Sequence, residues 1–183
     1  MKPARVTKIA SLPACWVGRT VPLRLHKRIL LVDDDPTVRD SLNDVLVGEN
    51  YCVVSAANEK QALDYAKTMP VDLVLLDLNM PVKNGWDTFE QLTASLPLIP
   101  VIITTARSNQ LFTALSAGAS ALLEKPMDIP ILLQTIEKLL AESVQQRLAR
   151  LAGQKIVFHY RSAPASQEDD GAEKHKSNVQ HRY

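Results

Sequence analysis

Apolar residues in this chain collect into short unbroken runs: ILLV (29–32), YCVVSA (51–56), LVLL (73–76), VII (101–103) and ALL (121–123). Runs of this length, without polar alternation, predict strands covered on both faces, as in a parallel sheet. Between them apolar positions recur every three or four residues: Val38, Leu42, Val45, Leu46, then Ala62, Tyr65, Ala66, Met69, then Phe89, Leu92, Leu96, then Leu111, Ala114, Leu115. That spacing predicts helices with one buried face. A last helix follows through Leu132, Ile136, Leu139 and Leu140, extended onward by Val144, Leu148 and Leu151. Start signals agree: Asp35 before Pro36, Asn58 three residues before Gln61, Ser108 before the fourth helix and Asp128 opening the fifth. Alternation of five strands with five helices predicts an α/β fold, a (βα)5 open parallel sheet with helices on both faces.

The polar residues then acquire places. Asp33 and Asp34 follow the first strand, Asp77 the third, Thr104 and Thr105 end the fourth, and Lys125 follows the fifth. In an open α/β sheet, ligands bind at the carboxyl ends of the strands, where strand order reverses. With the order 2-1-3-4-5 the reversal falls between strands one and three, which brings Asp33 and Asp34 beside Asp77. Clustered carboxylates suit a hard cation such as Mg2+, which prefers oxygen ligands. Beside such a cation Asp77 can accept a phosphoryl group as a nucleophile, with the Thr105 hydroxyl and the Lys125 ammonium contacting that group. The plainer reading, that three aspartates after a strand only cap a helix, is weakened by Asp77 in the same crevice. Spacing favours Thr105 over Thr104. Trp86, Phe89 and Phe112 read as helix packing, and the histidines form no cluster with ligand spacing.

Composition narrows the class. At 183 residues with 46% hydrophobic content, the chain can bury one full-sized core. Lysines and arginines (21) balance aspartates and glutamates (20), so no whole-chain nucleic-acid or membrane footprint is present. No apolar stretch reaches the roughly 20 residues that cross a bilayer. Cys15 and Cys52 show no paired spacing, which gives little support to a disulfide framework or zinc site and favours a reducing cytoplasm. Residues 1–26 read as a flexible basic extension, 27–152 as the folded domain with an extended last helix, and 153–183 as a mostly disordered polar tail. A secretion signal ending at Cys15 is disfavoured because Ser11 and Pro13 interrupt its apolar core.

The segments RILLVDDDP, VDLVLLDLNMP, NGWD, PVIITTA, GAS and EKP, in this order and spacing, resemble the receiver domain of bacterial two-component response regulators. The resemblance runs from about residue 27 to about residue 142 and implies the flavodoxin-like form of the open sheet. It further implies that Asp77 is the phosphoacceptor, charged by a sensor histidine kinase or a histidine phosphotransfer protein. Asp34 would bind Mg2+ directly, Asp33 through water or by orientation, and the Asn79 backbone carbonyl would complete the protein ligands alongside Asp77. Thr105 would be the switch hydroxyl and Lys125 the phosphoryl partner, with a cis Lys125–Pro126 bond. Arg107 stands where the resemblance implies influence on phosphoryl lifetime. The sequence departs from the pattern at Leu122, three residues before Lys125, where the family carries an aromatic that couples the site to the surface of the fourth and fifth helices.

Rival readings are separable. An EF-hand loop starting at Asp33 fails, because Val38 stands where glycine is needed and Asp44 where glutamate is expected. A haloacid-dehalogenase-like phosphatase would use Asp33 and Asp35 with Thr37, but no acidic pair follows a later strand; it would be phosphorylated on Asp33, the receiver on Asp77. A DNA-binding output is not expected from the short polar segment after Gly153. The expectation is a phosphorylation-dependent switch that catalyses only its own phosphorylation and dephosphorylation and changes affinity for an unidentified partner protein. Its extended last helix offers a weak homodimer seam.

Overall fold

The computed structural model describes residues 26–80, 85–152 and 159–162. Strands β1 (Arg28–Val32), β2 (Cys52–Ala56), β3 (Leu73–Asp77), β4 (Val101–Thr105) and β5 (Ala121–Glu124) pair in parallel in the order 2-1-3-4-5. Helices α1 (Pro36–Gly48), α2 (Glu59–Thr68), α3 (Gly85–Ser95), α4 (Leu111–Ser116) and α5 (Ile129–Ala141) connect them. The (βα)5 reading therefore holds.

Side-chain alternation divides the core into two layers. Ile29, Leu31, Val53, Leu73, Leu75, Ile102, Ala121 and Leu123 pack on one face with Leu42 and Leu46 of α1 and Leu132, Ile136 and Leu139 of α5. Leu30, Val32, Val54, Val74, Leu76, Ile103 and Leu122 face the opposite way, against Ala62 and Ala66 of α2, Phe89 and Leu92 of α3 and Ala114 of α4. Each fully buried leucine or isoleucine contributes about 1.5–3 kcal/mol relative to exposure, so the strands need no polar partners along their length. Their polar residues are left for the ends.

The helix starts follow their caps. Asp35 accepts from the amides of Thr37 and Val38, with Pro36 at the first position. Asn58 accepts from Gln61 N while Gln61 Oε1 accepts from Ala57 N, and Asp128 accepts from Ile131 N. Ser108 does not cap α4. Asn109 takes φ +69° and Gln110 stands at the N-cap without capping the helix through its side chain, whose Oε1 instead accepts from Trp86 Nε1 at 3.2 Å, so the loop turns before the helix begins.

Four expectations are corrected. The last helix is not continuous: Glu142 is extended, and Ser143 with Gln146 forms a capping box that opens a separate α6 (Val144–Leu151). The sheet has a sixth strand, β6 (His159–Arg161), parallel to β5 at its outer edge, in a segment read as mostly disordered tail. Phe112, read as helix packing, is 79% exposed. Cys52 is disulfide-bonded, which its spacing did not suggest; Cys15 lies outside the described residues. Residues 1–25 of the basic extension, and most of the tail, lie outside them as well. No described helix is long and apolar enough to cross a membrane.

Candidate functional site: an acidic crevice at the carboxyl end of the sheet

The odd-numbered rows that bury Leu31, Leu75 and Leu123 against α1 and α5 continue, two residues further on, into Asp33, Asp77 and Lys125. Strand periodicity thus aims all three toward one crevice between β1, β3 and β5. Asp33 and Asp77 are 2% and 3% exposed, so each negative charge must be met inside the protein. Lys125 Nζ does this for both, donating to Asp33 Oδ2 at 3.0 Å and Asp77 Oδ2 at 2.9 Å. Their other oxygens accept backbone amides: Asp33 Oδ1 from Asp35 N at 2.9 Å and Asp77 Oδ1 from Asn79 N at 3.1 Å. Burial pulls the Lys125 ammonium toward lower pKa, but the bonds and charges of Asp77 and Asp33 outweigh it and hold the group above the usual lysine value.

Asp34, half-buried, joins the pair: one oxygen from each of Asp33, Asp34 and Asp77 lies within 4.8 Å of the others. Three carboxylates converging this closely are a hard-cation donor set, and they fit Mg2+. Arg39 of α1 donates from Nη1 to the Asp33 carbonyl at 2.7 Å and so fixes the backbone between the first two acids. Sequence reasoning missed this residue, because its target is a main-chain oxygen.

Thr105 lies on the other face of the sheet and is fully buried. Its hydroxyl donates to Asn79 Oδ1 at 3.0 Å and accepts from Arg107 N at 3.0 Å, while Ala106 N also donates to Asn79 Oδ1 at 3.3 Å. The Lys125 amide donates to the Thr105 carbonyl at 2.7 Å, and the Lys125–Pro126 peptide is cis. Every side chain singled out for the site is therefore gathered at one rim, Thr105 reaching it through Asn79. Asp35 is not part of the cluster: it is exposed and occupied in capping α1. That use takes away the second aspartate a dehalogenase-like phosphatase needs. Leu122, at the departure from the family pattern, is completely buried in the layer with Ile103 and Ala114.

The chain belongs to the response regulator receiver domain family. That family matches residues 29–137. The transcriptional regulatory protein ZraR of Escherichia coli (strain K12) is 39% identical over 117 residues, which are 63% of this chain and 26% of ZraR. A CheY-like receiver domain from Methanospirillum hungatei superposes with a TM-score of 0.60 at 32% identity, over 63% of this chain and 94% of that one. TrrA of Thermotoga maritima, solved in complex with Mg2+ and BeF, gives 0.58 at 31% identity, over 62% and 98%. The chain spans between about a quarter and a half of the length of the curated relatives ZraR and CpxR. A receiver domain of this family supports phosphorylation-dependent signalling in two-component systems, binds Mg2+ at its acidic site and interacts with histidine kinases and downstream partners.

Proposed function

We propose that this chain is a phosphorylation-dependent switch in which Asp77 accepts a phosphoryl group from a phosphohistidine on a histidine kinase or phosphotransfer protein. An Asp77 oxygen forms the new O–P bond while the donor's P–N bond breaks and its imidazole leaves with a proton. Mg2+, held by Asp33, Asp34, Asp77 and the Asn79 backbone carbonyl, would offset the charge that gathers on the phosphoryl oxygens. Lys125 holds a positive charge beside Asp77, and the Thr105 hydroxyl, now on Asn79, is the group within the site free to turn toward a new acceptor. The chain catalyses its own phosphorylation and dephosphorylation and no other reaction. Its output is a changed affinity for a partner protein.

The observation that carries this reading is Lys125 bridging two buried carboxylates at 2.9 and 3.0 Å within reach of a third. Carboxylates buried this close together are costly to hold in the fold unless positive charge compensates them. The cytoplasm is the proposed compartment.

Incubation with a small-molecule phosphodonor and Mg2+ tests the function. Wild type should take up base-labile phosphate, Asp77→Ala none, and Asp34→Ala very little because metal affinity is lost. Labelling of Asp77→Ala equal to wild type, or repeated turnover of phosphoesters, would refute the proposal.

A further inference from the structure

The strand that the receiver pattern does not require is tied to the site by one side chain. β6 lies parallel to β5 with Leu122 opposite Tyr160, and the Tyr160 hydroxyl donates to Glu124 Oε1 at 3.0 Å. Glu124 is in turn the register partner of Thr105 on β4, and residues 122 and 124 share a face. Thr105, Glu124 and Tyr160 therefore form a row across three strands on the sheet face opposite Lys125. Glu124 also immediately precedes Lys125, whose amide is bonded to the Thr105 carbonyl. Any shift of the backbone at 124–125 reaches Tyr160 within one residue.

The hold of β6 is slight. It pairs over three residues, Tyr160 is 39% exposed, and a hydrogen bond in that setting adds little against solvent. Elements with few buried contacts open at low free energy. Lys125, by contrast, is held where it is by Asp33 and Asp77, the two acids that a bound cation would claim. Its ammonium would then turn to the phosphoryl group, and any shift of the 124–125 backbone that accompanied the turn would be felt at β6 through Glu124.

We propose that β6 is a releasable edge strand whose hold on β5 is coupled to the site through Tyr160 and Glu124, and is loosened when Lys125 loses Asp33 and Asp77 to a bound cation and phosphoryl group. The inference rests on the receiver reading above. Coupling of this kind is reciprocal: if site occupancy weakens β6 by some factor, removing the Tyr160 contact strengthens site occupancy by the same factor.

The test is hydrogen exchange of the whole chain, free and with Mg2+ plus BeF, read separately over residues 159–162 and over the site segments around Asp77 and Thr105. Expected is increased protection at the site and a loss of protection at 159–162 of about fivefold or more, the lower end of ordinary allosteric couplings. Tyr160→Phe should exchange rapidly at 159–162 in both states and bind Mg2+ plus BeF more tightly by a similar factor. A protected site with unchanged or increased protection of β6 overturns the coupling while leaving the receiver reading intact. No response at the site overturns both.

Discussion

Asp33 and Asp77 are nearly sealed from solvent and share one counter-charge, so the residue most exposed to test is Lys125. Removing it as Lys125→Met leaves two buried carboxylates facing each other. With the Lys125 side chain 22% exposed, the expected loss is about 2 kcal/mol, below the cost of breaking a fully buried pair. Because a cation can replace the lost charge, added Mg2+ should restore more stability to this variant than it adds to wild type. Thermal melts with and without Mg2+ measure this, and an equal increment in both proteins would contradict the role given to Lys125. Which acids would converge was legible in the sequence, since each follows an apolar run at the end of a strand. Arg39 was not, because a contact to the Asp33 carbonyl depends on the turn of α1 rather than on residue type.

At the scale of elements, Gly85 decides how closely α3 can approach β3, the strand that ends in Asp77. A Cβ there would stand 2.5 Å from Leu78 Cα and 2.9 Å from the Asp77 carbonyl oxygen, and these main-chain atoms cannot step aside. Gly85→Ala should therefore displace the backbone that carries Asp77, lowering both thermal stability and phosphorylation rate; unaltered values for both would show that α3 is not pressed against the site. Asp35 offers a pH test at the start of α1. Its backbone hydrogen bonds from Thr37 and Val38 hold its carboxyl below the ordinary aspartate value of 3.8. A lowered folded pKa means that its stabilising contribution is full above the unfolded value and disappears as pH falls through the folded one. Asp35→Ala should melt below wild type at pH 7, with the gap closing toward pH 3. The caps at Asp35, Asn58 and Asp128 could be read because each side chain stands just before its helix. The break before α6 carried an equally plain signal, Ser143 with Gln146, which the apolar repeat through Val144, Leu148 and Leu151 overrode. The strand β6 had no such signal: three residues are too few for a period to show.

For the whole molecule, the sheet's order was readable because parallel strands buried on both faces leave unbroken apolar runs, whereas the edge strand added to β5 follows from packing alone. If the three acids hold a cation, Mg2+ at ten times its Kd should stabilise the fold by about 1.4 kcal/mol, and Asp34→Ala should lose that increment. The most direct measurement is peptide mapping by mass spectrometry after incubation with a phosphodonor and Mg2+. The account predicts a single phosphoryl group on the peptide containing Asp77, absent when Mg2+ is chelated. Phosphate found on Asp33, or on any peptide in the Asp77→Ala variant at the wild-type level, would contradict it.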